Sequence, residues 1–163
     1  MKKKELYIIR HAKSDWNFDV SDFDRPLNPR GVADAPNMGK HLKSNFSKPD
    51  YIISSPANRA ISTARLIAKE VEYELTSIQQ AESAYNAPYT ELLKLINNTP
   101  EEFNTVFLFA HNPGVSDLVH YLSDTPTELK TCCVVQLKPL VDNWTEVFQS
   151  NCELREFISP KSI

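Results

Sequence analysis

Leu6-Tyr7-Ile8-Ile9-Arg10-His11-Ala12 is a short apolar run that ends abruptly in an arginine and a histidine. Bounded by charge on both sides, such a run reads as a buried strand. Open α/β sheets keep their ligand sites at the carboxyl ends of their strands. The stretch therefore reads as a strand delivering Arg10 and His11 to such a site, and a phosphate-handling histidine is the first hypothesis.

Two further apolar runs stop in the same manner. Tyr51-Ile52-Ile53 ends on Ser54-Ser55-Pro56, and Val106-Phe107-Leu108-Phe109-Ala110 ends on His111-Asn112-Pro113-Gly114. Between and after them the apolar spacing predicts helices over residues 32–46, 58–71, 89–96 and 115–122. In the first, Ala35, Met38, His41, Leu42 and Phe46 share a face, and Pro36 is tolerable only near the start. Further strands are expected over 75–78, 132–137, 144–149 and 152–158, the last two joined by a hairpin turn at Ser150-Asn151. The tail, 159–163, reads as loose. This alternation predicts a three-layer α/β/α domain over residues 1–163, with a mainly parallel sheet extended by the final strands, at least one of them antiparallel.

Length and composition agree with that expectation. The 163 residues suit one domain with a full core, and 41% hydrophobic with 24% charged residues is an ordinary globular balance. No stretch approaches the roughly 20 apolar residues of a membrane helix. Met1-Lys2-Lys3-Lys4 resembles the charged start of an export signal, but only Leu6 to Ile9 follow before Arg10 interrupts, so no signal is read. Cys132, Cys133 and Cys152 form neither a metal-ligand spacing nor an even disulfide framework, and Cys132 and Cys133 read as small buried hydrophobes. A reducing, cytoplasmic setting without metal is expected. A net charge of -3 without a basic block beyond the first residues argues against a nucleic-acid surface. Only three glycines occur, too few and too scattered for a glycine-rich phosphate loop.

Any phosphate recognition must then be local. Three strand ends present Arg10 with His11, Arg59 in the first turn of its helix, and His111. A parallel sheet gathers these ends at one edge. Two forked guanidiniums suit phosphate oxygens, and two imidazoles offer a nucleophile and a further donor. Arginine in the first turn opposes the helix dipole, which invites a functional explanation for Arg59.

These residues also carry a resemblance. Ile9-Arg10-His11-Ala12 with Ser14, Trp16 and Asn17, then Ser54-Ser55-Pro56-Ala57-Asn58-Arg59-Ala60 with Thr63-Ala64, then His111-Asn112-Pro113-Gly114, resemble the motifs of the histidine phosphatase superfamily, also called phosphoglycerate mutase-like. Short length and Arg25-Pro26-Leu27 before Arg30-Gly31 resemble the SixA-type phosphohistidine phosphatases. The resemblance implies a cofactor-independent phosphatase in which His11 attacks phosphorus and is transiently phosphorylated, while Arg10, Arg59 and His111 hold the equatorial oxygens. Neutral His11 is required, its tautomer fixed by an acceptor such as a backbone carbonyl.

Ala12 departs from the usual glycine after the nucleophile, and is acceptable where the backbone needs no positive φ. Glu82 is similar in position to the general acid of the mutase-like branch, with Asp22 and Asp24 behind it. A weak acid suits phosphohistidine, whose leaving imidazole departs neutral. Ser14, Asn17 and Asn112 are candidate substrate-binding residues; Ser14 and Asn17 read equally as turn-formers. Arg25 and Arg30 read as loop caps or bridges or as substrate contacts, Trp16 as packing, and His41 and His120 as structural. The expected partner is a phosphorylated protein, such as a histidine-containing phosphotransfer domain, or a small phosphorylated metabolite, with no nucleic acid and no membrane. A small-molecule phosphomonoesterase or mutase-like enzyme is the alternative, and an inactive phosphoprotein-binding module the alternative of another class.

Overall fold

A computed structural model of the chain describes residues 3–163; the first two residues of the lysine-rich start lie outside them. Among the described residues, six strands form one sheet: β1 (Glu5–Arg10), β2 (Tyr51–Ser54), β3 (Gln79–Gln80), β4 (Thr105–Ala110), β5 (Val134–Pro139) and β6 (Cys152–Ile158). Their spatial order is β3-β2-β4-β1-β5-β6. β1, β2, β3 and β4 run parallel, β5 is antiparallel to β1, and β6 is antiparallel to β5. Four helices cover it: α1 (Pro29–Asn45), α2 (Asn58–Glu70), α3 (Tyr89–Asn97) and α4 (Gly114–Ser123). None is long and apolar enough to cross a membrane.

Strand alternation sorts the core into two halves. Leu6, Ile8, Val106 and Leu108 face α3 and α4, whose Leu92, Ile96, Leu118 and Leu122 complete that side. Tyr7, Ile9, Phe107 and Phe109 face α1 and α2, meeting Met38, Leu42, Ala64 and Ile67. The domain is thus three layers, α/β/α. Because β1 leads to α1 on one face and β4 leads to α4 on the other, a crevice opens between their carboxyl ends.

The expected strands and helices around the site are present, with corrections at five places. α1 starts at Pro29, three residues earlier than its periodicity suggests, because Asn28 caps it by accepting the Gly31 N–H and Pro29 fits the first helical position. Pro36 consequently lies well inside the helix; the carbonyl it leaves without an N–H is that of Val32, a residue 51% exposed, where water can serve. Residues 75–77 form a short 3-10 turn rather than a strand, and pairing is confined to Gln79 and Gln80. β5 starts at Val134 because Cys132 adopts a left-handed φ of 60°, which breaks the pleat. Residues 144–149 are not a strand either: Trp144–Glu146 is a 3-10 turn, so β6 pairs with β5 and the Ser150-Asn151 hairpin is absent. The tail is held more than expected, in a 3-10 turn over Pro160–Ser162 with reciprocal Ser159 and Ser162 capping.

Two buried contacts fix the ends of this framework. Lys4 is fully buried, donating to the Glu101 and Phe103 carbonyls at 2.7 and 3.0 Å, with its ammonium 5.1 Å from the Trp144 ring. Gly31 lets α1 approach the loop that follows His11: a Cβ there would lie 2.2 Å from the Lys13 carbonyl oxygen. Backbone on both sides cannot yield by that much without moving the loop after β1. Gly31→Ala is therefore expected to destabilise the fold by about 1–3 kcal/mol. A circular-dichroism melt with an unchanged midpoint would contradict the contact.

Candidate active site

The parallel pairing of β1 with β4 matches Arg10 with Ala110, so His11 and His111 follow side by side one residue beyond the strands. Their ring centroids are 5.2 Å apart. Arg59 reaches the same place from the first turn of α2 and is buried. A pocket of about 220 Å³ is lined by all four side chains together with Ser14 and Arg25.

Each group is held from behind. His11 Nδ1 lies 2.7 Å from the Ala12 carbonyl, so it carries the proton and donates, leaving Nε2 as the unprotonated nitrogen. Ala12 is not among the residues with positive φ, and its N–H donates to Thr63 Oγ1 at 2.9 Å, so no glycine is needed there. Arg10 Nη1 donates to the Leu129 carbonyl at 3.2 Å. Ser55 Oγ accepts the Ala57 N–H and sits 2.7 Å from His111 Nε2. With Ser55 fully buried, its hydroxyl proton is best satisfied by donation to Nε2, which puts the His111 proton on Nδ1. Arg10 Nε, Arg59 Nε and His111 Nδ1 are all buried and have no hydrogen-bond partner among the described residues. All three side chains line the pocket, and a cluster of guanidinium and imidazole donors suits a tetrahedral oxyanion.

Asp22 organises the mouth. Its carboxylate accepts from Arg25 Nη1 at 2.7 Å, Arg59 Nη2 at 3.1 Å and the Tyr85 hydroxyl at 2.5 Å, and its carbonyl accepts from Arg59 Nη1 at 2.7 Å. The next residue's carbonyl, that of Phe23, accepts the Asn58 N–H at 2.9 Å and so caps α2, whose own N-cap, Ala57, has no side-chain bond. The negative charge of Asp22 at this helix start offsets the unfavourable placement of Arg59. Arg25 is buried; its Nε donates to Ser14 Oγ at 2.9 Å, and its guanidinium lies 3.6 Å from the Trp16 ring centroid.

Burial governs the titration of the two histidines. It pushes His11 down to about 3, with the positive neighbours His111, Arg59 and Arg10 acting in the same direction and the Ala12 bond opposing. His111 is pushed down to about 4 by burial and then by Arg59, against the pull of Asp22. The Tyr85 hydrogen bond, reinforced by Arg59 and Arg25, holds Asp22 well below the usual carboxylate range. Both imidazoles are thus neutral and Asp22 is ionised at neutral pH, the states that a nucleophile and an arginine clamp require.

Of the other residues singled out from the sequence, Ser14 and Asn112 line the pocket and Asn17 does not. Both ends of the Asn112 amide are committed, to the Leu129 carbonyl and the Ser116 hydroxyl, each at 2.7 Å. Asn17 is exposed, its N–H bound to Asp15 Oδ1 in a local turn. Glu82 lies exposed in the 3-10 turn Glu82–Ala84, outside the lining, whereas Tyr85, which follows that turn, donates its hydroxyl to Asp22 at the mouth. Trp16 packs on the Arg25 guanidinium but is 76% exposed, at the pocket edge. The sequence left Arg25 undecided and gave Asp22 a secondary place; the dense charge of Asp22-Phe23-Asp24-Arg25 before Pro26 was the available signal.

Comparison with known proteins gives this geometry a lineage. The family model of the histidine phosphatase superfamily (branch 1) matches residues 6–83. An uncharacterised chloroplastic protein of Arabidopsis thaliana is 29% identical over 155 residues, 89% of this chain and 71% of that protein. An uncharacterised protein of Mycobacterium tuberculosis is 30% identical over 115 residues, covering 71% of this chain and 70% of its own. Among solved structures, the protein histidine phosphatase SixA complexed with tungstate superposes with a TM-score of 0.79 at 22% identity, over 97% of this chain and 98% of that one. The chain belongs to the histidine phosphatase superfamily, as an enzyme of the phosphatase type built on the SixA-like, phosphoglycerate mutase-like fold.

Proposed function

We propose that the chain hydrolyses protein phosphohistidine through a phosphorylated intermediate on its own His11. One observation carries the reading: a neutral imidazole with its Nδ1 proton engaged by the Ala12 carbonyl sits in a pocket lined by arginine and imidazole side chains, and no carboxylate lines that pocket among the described residues. His11 Nε2 attacks phosphorus, and the bond to the substrate nitrogen breaks. Arg10, Arg59 and His111 donate to the equatorial oxygens, where fixed donors lower the barrier most. Water then attacks phospho-His11, the new P–N bond breaks, and phosphate leaves.

The missing carboxylate points to the leaving group. An alkoxide needs a proton in the transition state, whereas a phosphohistidine protonated at its other nitrogen releases a neutral imidazole without help. Asp22, the carboxylate at the mouth, is tied to Arg25, Arg59 and Tyr85 and ionised, so it serves as a clamp rather than an acid. The superposed SixA structure, which holds the tetrahedral oxyanion tungstate, is in keeping with this substrate class. The partner is then a phosphorylated protein, such as a histidine-containing phosphotransfer domain, met in the cytoplasm.

His11→Ala should lower turnover of a phosphorylated phosphotransfer domain by at least about a thousandfold. Rapid quenching of the wild type should trap an acid-labile, alkali-stable phosphate on His11 by mass spectrometry. Full activity in the variant, or comparable turnover of a sugar phosphate and the phosphoprotein, would overturn the reading in favour of other chemistry or a small-molecule phosphomonoesterase.

Asp22→Asn should slow p-nitrophenyl phosphate and an alkyl phosphate by the same factor, roughly tenfold, since clamping affects both alike. A much larger loss on the alkyl ester would make Asp22 the proton donor.

Acid should also destabilise the fold through the two histidines. Their folded pKa values lie below the unfolded value of about 6.5, so the unfolded chain binds more protons between there and pH 3–4. Unfolding free energy should fall as pH drops below about 6.5, by up to about 1.4 kcal/mol per pH unit for each histidine. Urea titrations should find that slope flattened in His11→Asn and His111→Asn; an unaltered slope would mean the rings are charged in the fold.

A further inference from the structure

A second cavity, of about 580 Å³, adjoins the histidine pocket and shares Arg10 and Lys13 with it. Arg30, Lys130 and Lys161 join these two, against a single carboxylate among the described residues, Glu128. Lys13, Arg30, Lys130 and Lys161 are exposed and come from four separate segments: the loop after β1, the start of α1, the loop before β5 and the final turn. Arg30 makes one long contact, 3.5 Å, with Asp34. The chain as a whole carries a net charge of -3, so this concentration of cations is local. Its floor is partly apolar, from Phe157, Pro160 and Cys133.

The histidine pocket, of about 220 Å³, accommodates a phosphoryl group. The neighbouring cavity is more than twice as large, and a bare phosphate would leave its apolar floor uncovered. Glutamate and aspartate side chains on an extended segment fit both features, with methylene stems on the floor and carboxylates on the cations.

We propose that this cavity binds an acidic segment of the substrate protein, flanking the phosphorylated residue whose phosphoryl group enters the histidine pocket. The proposal rests on the phosphoprotein reading above and adds to it a selectivity for sequence around the phosphorylated side chain. Lys13 and Arg10 form the passage between the two sites, so one bound segment spans both. Exposed charge pairs are individually weak, and three of them acting together favour an acidic flank by about tenfold.

The test uses fluorescently labelled peptides carrying a non-hydrolysable phosphohistidine mimic, flanked either by glutamates or by serines, with a matching phosphotyrosine pair. Anisotropy with the wild-type chain should give about tenfold tighter binding of the glutamate-flanked member of each pair, diminished by high salt. In the triple variant Arg30→Glu, Lys130→Glu, Lys161→Glu the preference should vanish or reverse, while hydrolysis of p-nitrophenyl phosphate stays unchanged. Should that variant fold poorly, the glutamine version of the three substitutions should abolish the preference. Equal binding of the paired peptides by the wild type, or a preference that survives charge reversal, would overturn the proposal. So would tight binding of a small sugar bisphosphate that is lost in the variant without any flank preference, which would make the cavity a second phosphate site. A flank preference within the phosphotyrosine pair, without turnover of phosphohistidine, would leave the docking site standing and remove the substrate reading. Phosphohistidine turnover without flank preference would do the reverse.

Discussion

Like charges gathered in a buried space repel, and that repulsion is the constraint around which this domain is arranged. Arg10, Arg25 and Arg59 meet at one sheet edge beside two buried histidines. The fold meets the difficulty with backbone carbonyls and one carboxylate: Leu129 holds Arg10, and Asp22 holds Arg25 and Arg59 through its side chain and its carbonyl. It also keeps both imidazoles neutral, so that no further charge is added. What is left over is a small concave surface of donors directed at a space only an anion would favour. Stabilisation of such a cluster and recognition of phosphate are therefore one problem, because the ligand supplies the charge that the protein withholds.

The sheet and its two histidines were legible in the sequence because they depend on short-range patterns. Buried apolar runs announce strands, and a polar residue that halts such a run falls at the sheet edge. Parallel pairing then makes residues a hundred positions apart into neighbours, as with Arg10 and Ala110. Elements with weak patterns fared worse. Residues 75–78 and 144–149 carry enough apolar and β-branched residues to suggest strands, yet they form 3-10 turns that seat Trp144 against Lys4 and bring Gln79 to the sheet.

The loop from Trp16 to Arg25 was the harder part for a different reason. Its conformation is set by contacts with α2 and with Tyr85, a segment more than sixty positions away, and no local periodicity records such contacts. Asp22 could be seen as a nearby acid but not as the tie between two arginines. Arg25 could be a cap or a contact until Ser14, Trp16 and Asp22 fixed where its guanidinium lies. Glu82 falls in a three-residue turn that buries only Ala84 and leaves Glu82 and Ser83 exposed, a local geometry with no periodic signature in the sequence.

The chain has two tryptophans, and the fold gives them opposite surroundings. Trp144 is wholly buried, whereas Trp16 stands in water at the pocket edge with the Arg25 guanidinium against its ring. Indole emission shifts to longer wavelength with solvent exposure, and an aqueous quencher reaches only an accessible ring. The two signals are therefore separable within one spectrum, Trp144 reporting the integrity of the core and Trp16 the state of the mouth. An anion that draws Arg25 inward would move the cation off the indole and change its emission, which makes the pocket its own optical gauge.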